Sequence, residues 1–246
     1  MIKATYLYHM GDDLSVVNAA RVSFGKKREA LGTVTVDGNT RQVLHDTDTK
    51  LIRYLAKHKH ISPFGHCFAS FHVKAPIFVA RQLVKHKFLR WNEISRRYVS
   101  DEPEFYVPDN WREKANDKKQ GSGSGFVNEL LCNDTDEYAD DKAYLADYWG
   151  MDTSSYVEDN VYSNALAIYE ELLENNVCPE QARMVLPQST MTEWYWSGSL
   201  DAFADMCNLR LKTDTQYETQ LVAQQIDQIM LGLFPVSWEA LVYGDD

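Results

Sequence analysis

A chain of 246 residues, 44% of them hydrophobic and 12% aromatic, is long enough to bury a core of its own as one domain, or as one domain with a large insertion. Its formal net charge of −11 argues against general nucleic-acid binding, which depends on broad neutralisation of phosphates. Cys67, Cys132, Cys178 and Cys207 are scattered without a C-x-x-C pair, so neither a zinc ribbon nor a disulfide framework is expected.

The opening residues lack the charged and apolar regions of a signal peptide, and no apolar run approaches a membrane span. The expectation is a reduced, cytoplasmic protein. A strand over residues 3–9 leads to a helix over 13–23, with Asp12 or Asp13 as its cap. Residues 25–40, rich in Gly, Lys and Thr, predict a hairpin or a mobile loop around Asp37-Gly38. A second helix over 47–58 places Leu51, Ile52, Leu55 and Ala56 inward, and Ser62-Pro63 ends it. Residues 67–74 read as a strand running into a helix with Pro76 in its first turn and Ile77, Ala80, Leu83 and Val84 at helical spacing. His72 on that strand is expected to face the core.

Residues 81–98 carry six Lys or Arg against one Glu, so a cationic island of about +5 sits in a chain whose remainder carries about −16. Such an island asks for an anion; its bland alternative is a solvated basic face. Helical spacing puts Arg81 and Lys85 on one face and Gln82 and His86 on the next. After Trp91 the pattern alternates, predicting an extended segment with Glu93, Ser95 and Arg97 on one side and Ile94, Arg96 and Tyr98 on the other.

From 101 to 159 the character changes. Residues 116–125 form a flexible linker by composition, and 133–159 are acidic and tyrosine-rich, which together read as an insertion or lid. The Gly/Ser tract lacks the Lys-Ser/Thr ending of a P-loop. A helix over 160–175 follows, with Ala165, Ile168, Leu172 and Leu173 inside; then a short helix from Pro179 carrying Arg183, a strand over 189–197, and helices over 200–209 and 214–234. Strands and helices without regular βαβ alternation predict an α+β fold, a mixed or antiparallel sheet packed with helices.

Lys85-His86-Lys87, seven residues, then Ser95, with Asn92-Glu93 and Arg97-Tyr98 around it, resembles the Arg-His-Arg-x7-Ser signature of the flavin-dependent thymidylate synthases. Further stretches are similar to that family in the same order: Met10-Gly11-Asp12-Asp13-Leu14 to Ala19-Ala20-Arg21-Val22-Ser23-Phe24, His58-x-His60 with Ser62-Pro63-Phe64, 71–82, Ala182-Arg183-Met184-Val185-Leu186-Pro187 and Asn208-Leu209-Arg210.

The resemblance implies one domain over 1–246 with the insertion at 101–159, assembled as a homotetramer with long helices at the subunit interface and active sites shared between subunits. It implies conversion of dUMP to dTMP with FAD as cofactor and 5,10-methylenetetrahydrofolate and NADPH as co-substrates, and no membrane or nucleic-acid partner. The protein would then chiefly orient these groups and stabilise developing charge. Arg210 would be catalytic, beside the uracil ring. Gln82, Lys85, Glu93, Ser95, Arg97, Arg183 and Arg210 would bind dUMP. His60, Ser62, Lys85, His86, Lys87, Asn92, Glu93, Ser199, Asp201 and Asp205 would meet flavin or folate. Because none of the four cysteines lies in the cationic segment, a cysteine nucleophile is not expected.

The chain departs from the family pattern at several of these places. Lys85 and Lys87 stand for arginines, keeping charge but not the planar fork. Gly65 stands where Glu is common; Ser199, Asp201 and Asp205 stand where Asn, Arg and Asn often meet FAD; and Asp214 replaces a frequent histidine. Other readings are a related flavin and folate enzyme that hydroxymethylates a pyrimidine, and a single-strand-binding module that stacks bases on Phe88, Trp91 and Tyr98. His58, His60 and His66 as a zinc site form an incomplete ligand set, so no metal is expected. A salt bridge to Arg90 or Arg97 is the structural alternative for Glu93, and Ser95, with no activating base in view, is expected to donate hydrogen bonds and not to attack.

Overall fold

The computed structural model describes residues 1–36, 39–99, 101–116, 121–127 and 153–244. In chain order its elements are β1 (Lys3–Met10), α1 (Asp13–Arg21), β2 (Gly32–Val36), β3 (Asn39–Val43), α2 (Asp46–Lys57), β4 (Phe68–Pro76), α3 (Ile77–Leu83), β5 (Leu89–Glu93), β6 (Arg112–Lys114) and β7 (Ser122–Phe126). They continue with α4 (Thr153–Val157), α5 (Ser163–Glu174), α6 (Pro179–Ala182), β8 (Met191–Ser199), α7 (Leu200–Arg210), α8 (Tyr217–Leu233) and α9 (Pro235–Trp238). The chain divides into two compact units: Met1–Ala75, Val79–Glu93 and Glu193–Asp246 form the first, and Pro76–Phe78 and Ile94–Thr192 the second. The β1–β4 and β5–β8 pairings are antiparallel and helices intervene without a regular parallel βαβ repeat, which is the α+β class expected.

In the first unit a four-stranded sheet has the order β1-β4-β8-β5, with β1 antiparallel to β4 and β5 antiparallel to β8. Period-two alternation explains its sidedness. Ala69, Phe71, Val73 and Ala75 of β4 and Trp194 and Trp196 of β8 are buried. The Phe203 ring of α7 closes on Phe71 and Trp196 at 5.1 and 5.5 Å between centroids, both edge-on. Trp91 of β5 pairs in register with Trp196 and stacks on Trp194 at 4.3 Å. His72 lies on the opposite, half-exposed face and not toward the core, because its strand position is out of phase with Phe71 and Val73; its Nε2 is 3.0 Å from Glu193. At Gly198, opposite Leu89, a Cβ would lie 2.4 Å from the Leu89 side chain and 3.0 Å from the Phe88 carbonyl. Gly198→Val is therefore expected to cost about 1–3 kcal/mol by overpacking, read as a lowered denaturant midpoint; unchanged stability would show that β5 moves aside freely.

Asp12 and Asp13 divide the capping work. Asp12 accepts from Ser15 N at 2.8 Å in a capping box at α1. Asp13 is buried and instead accepts from Val236 N and Ser237 N at 3.0 and 2.9 Å, capping α9; burial raises its carboxyl despite those bonds. In α2 the buried side chains are Ile52, Leu55 and the charged Asp48, whose oxygens meet Arg21 Nη2 at 2.5 Å and Arg28 Nε at 2.9 Å. Asn18 bonds both backbone groups of Arg28, which ties down part of the predicted loop. The rest of 25–40 contains the hairpin β2–β3, while Asp37-Gly38 lie outside the described residues.

The cationic segment differs from its expectation. α3 ends at Leu83, and Phe88 takes a left-handed φ of 65°, which a bulky side chain rarely adopts. Arg81 and Lys85 therefore do not stack on one helical face. The extended run also stops at Glu93: residues 95–98 form a turn, with Tyr98 N donating to Ser95 O at 2.9 Å and Arg97 N to Ser95 Oγ at 3.3 Å.

In the second unit, Phe105 bridges Thr190, and Met191 N donates to Glu104 O at 2.7 Å. Ser122–Phe126, which overlaps the end of the expected linker, is a strand paired with Arg112–Lys114; residues 117–120 and 128–152, with Cys132 and most of the acidic stretch, lie outside the described residues. The helix predicted from 160 begins at Thr153 and passes through a π turn at Glu158–Tyr162. Within the regular helix Ala165 and Tyr169, four residues apart, are buried, while Ile168, expected inside, is exposed.

Candidate functional site

The first unit gathers Lys85, His86, Lys87, Phe88, Ala202, Asp205, Leu209 and Arg210 around a cleft of about 400 Å³. Helix α7 delivers Asp205 and, from its last turn, Arg210, and the turn following α3 delivers Lys85, His86 and Lys87. Arg210 Nε donates to His86 Nε2 at 2.9 Å, and its Nη2 donates to the Gln82 carbonyl at 3.3 Å. Burial lowers the Arg210 pKa. Burial and the Arg210 charge together push His86 down to about 4. The Gln82 side chain does not face open solvent: its Oε1 accepts from Thr219 Oγ1 at 3.2 Å and its amide nitrogen bonds Gln216, both at the start of α8.

A larger cleft of about 720 Å³ in the same unit is lined by Arg53, Lys57 and Lys59 on one wall and by Asp201, Asp205 and Asn208 of α7 on another. Asp201 Oδ1 is buried without a hydrogen-bond partner, and Gly65 lies beside it, where a Cβ would sit 3.8 Å from that oxygen. Burial and the Asp201 charge raise the Asp205 pKa. Ser199 precedes α7 at the N-cap position and is buried. His60 and Ser62 are exposed; the His60 ring lies 6.1 Å from Tyr54 and 6.3 Å from His58. Among the described residues no three His, Cys, Asp or Glu side chains form a metal-binding group, and no helix is long and apolar enough to cross a membrane.

Asn92 and Glu93 close β5, both exposed, and Glu93 Oε2 accepts from Trp91 Nε1 at 3.1 Å. With Trp91 packed on Trp194 and Trp196, the stacking surface expected of a single-strand binder lacks its middle member.

Ser95, Arg97 and Arg183 belong to the second unit. Arg97 Nε is 2.7 Å from Glu180 Oε1, its guanidinium lies 5.2 Å from the Tyr98 ring centroid, and Glu180 opens the short helix that leads to the exposed Arg183. The sequence reading missed Glu180, Gln216, Thr219 and the cationic wall of Arg53, Lys57 and Lys59. For that wall a signal existed, since Arg53 and Lys57 are four residues apart near the end of α2 and Lys59 follows two residues later; the partners of Gln82 and Arg97 are distant in sequence and left none.

The thiols of Cys67 and Cys207 are poor nucleophiles. Burial, aided by Asp12 and Asp13, raises Cys67 to about 12, and burial with Asp227 nearby raises Cys207 well above the ordinary thiol value.

Comparison with known proteins places these residues in context. The profile of the Thy1 family, described as thymidylate synthase complementing protein, matches residues 5–236. A flavin-dependent thymidylate synthase of Thermus thermophilus is 37% identical over 231 residues, covering 94% of this chain and 72% of the relative. One from Kosmotoga olearia is 38% identical over 233 residues, covering 95% and 86%. The crystal structure of a UMP/dUMP methylase, PolB from Streptomyces cacaoi, bound with 5-Br dUMP, superposes with a TM-score of 0.72 at 29% identity, covering 99% of this chain and 95% of that one.

Proposed function

The chain belongs to the flavin-dependent thymidylate synthase family, and from that premise we propose that it converts dUMP to dTMP by reductive methylation without a cysteine nucleophile. Methylenetetrahydrofolate is the carbon donor and NADPH the reductant of a bound FAD. The observation that carries this reading is Arg210, held by His86 and the Gln82 carbonyl at the edge of a cleft that Lys85 and Lys87 also line. A bound flavin, once reduced, would supply the hydride that completes the methyl group. The protein's own groups then have to bind, orient and hold charge. Arg210 faces the pyrimidine and favours negative charge on the base as C5 becomes nucleophilic.

Gln82, Lys85, Glu93, Ser95, Arg97 and Arg183 are assigned to the nucleotide. The phosphate competes with Glu180 for Arg97, and the sugar competes with Gln216 for the Gln82 amide. In a homotetramer with shared sites and α8 at the interface, these residues need not come from one chain. One functional domain, with 101–159 as an insertion or lid, and a cytoplasmic location complete the proposal.

The residues fit a flavin nucleotide. The orphan oxygen of Asp201 is an acceptor in want of an N–H or O–H, which ribose or ribityl hydroxyls provide. Arg53, Lys57 and Lys59 line the same cleft and suit the pyrophosphate, so the cation missing at position 201 is replaced from another wall. His60, Ser62, His86, Lys87, Asn92, Ser199 and Asp205 are assigned to flavin or folate. Lys57→Glu with Lys59→Glu is expected to weaken FAD binding by at least about tenfold, near 1.4 kcal/mol, with dUMP affinity unchanged. Flavin absorbance retained after desalting reads the first and calorimetry the second; full retention would remove the two lysines from the site.

The test of function is mass spectrometry of the nucleotide formed from dUMP with methylenetetrahydrofolate, NADPH and FAD. A product heavier by CH2 is expected. A gain of CH2O would transfer the reading to hydroxymethylation, and no product would overturn both.

A further inference from the structure

The contact between Arg210 and His86 has a definite polarity. Arginine Nε carries a proton and no lone pair, so the imidazole nitrogen 2.9 Å away must accept. His86 is therefore neutral, with its own proton on Nδ1. Half-burial beside a guanidinium holds it there, since both effects disfavour imidazolium. The other charged groups lining the cleft are Lys85, Lys87 and Asp205. Two lysines against one carboxylate leave that neutral state favoured.

Two of the five guanidinium N–H groups of Arg210 are thus committed to the protein, one to His86 Nε2 and one to the Gln82 carbonyl. A planar group held at two adjacent corners has its plane and rotation set, with three N–H groups left for a ligand. We infer that His86 is a positioning residue for Arg210: its unprotonated Nε2 aims the guanidinium at the pyrimidine. This rests on the proposed role of Arg210 and goes beyond any contact His86 makes with flavin. A protonated imidazole would turn an N–H toward Arg210 and break the clamp.

The first experiment needs neither turnover nor flavin. Two-bond 15N–1H correlation spectra of histidine-labelled protein at neutral pH are expected to show His86 as the Nδ1–H tautomer; an Nε2–H tautomer or an imidazolium would overturn the inference. The second compares His86→Gln, whose side-chain oxygen reaches about as far as Nε2, with His86→Leu, which has no acceptor. Leu is expected to lower kcat by about 10–100-fold, as loss of an orienting partner does, and Gln to recover most of it. The Leu change should add little on top of Arg210→Ala. Equal loss in Gln and Leu, or full additivity with Arg210→Ala, would overturn the inference. If no dTMP forms under any condition, the functional proposal fails, while calorimetric dUMP affinities of the two variants and the tautomer still decide the role of His86.

Discussion

Arg210→Ala is expected to abolish measurable dTMP formation, a loss of at least about 10²–10³ in kcat, while the melting temperature stays within a few degrees. The two halves of this expectation have separate causes. On the proposed role, the half-buried guanidinium holds charge developing on the base, and the point charges of Lys85 and Lys87 in the same cleft do not reproduce its planar set of donors. Its partners, His86 Nε2 and the Gln82 carbonyl, would face a cleft that water can enter, so their hydrogen bonds are replaced and not lost. Arg210→Lys should fare little better, because a single ammonium cannot reproduce a plane held at two corners. Product formation by chromatography and unfolding by calorimetry check both halves; normal turnover in the alanine variant would remove Arg210 from the mechanism.

Asp48→Ala is expected to be among the most destabilising charge deletions, at about 3–5 kcal/mol. Asp48 is fully buried in α2, and its two oxygens face Arg21 and Arg28, which keep only partial access to water. Removing the carboxylate leaves two partly exposed cations converging without their counter-charge and releases the segment that Arg28 anchors against Asn18. Chemical denaturation should show a lower midpoint with an unchanged slope. A shift well below 1 kcal/mol would mean that the arginines swing out to solvent at no cost and that the pair is an ordinary surface contact.

The two expectations draw on different levels of legibility. Helices α2 and α7 and strands β4 and β8 were readable because their apolar periods run over two turns or several alternations, and β1, which carries a register shift between Tyr6 and Tyr8, because its residue types favour strands. Asp12 was readable as a cap because capping is local. Failures came where the chain departs from one period. The left-handed Phe88 ends the run after α3, the Ser95 turn ends the alternation after Glu93, and in α5 the face that is buried carries Ala165 and Tyr169 and not Ile168. His72 was assigned to the core because strand membership was legible and strand phase was not.

The sequence by itself determined the class of fold and the family and offered the candidate site residues, because residue type, spacing and order along the chain are local properties that resemblance can match. Only the tertiary structure decided what those residues are bonded to. Gln82 is held by Gln216 and Thr219, Arg97 by Glu180, Arg210 by His86, and Asp201 keeps an oxygen with no partner at all. Protonation state, tautomer and aim follow from those contacts. Each joins residues that are scores of positions apart, and only the burial and shared low-dielectric surroundings of the folded chain give such contacts their strength.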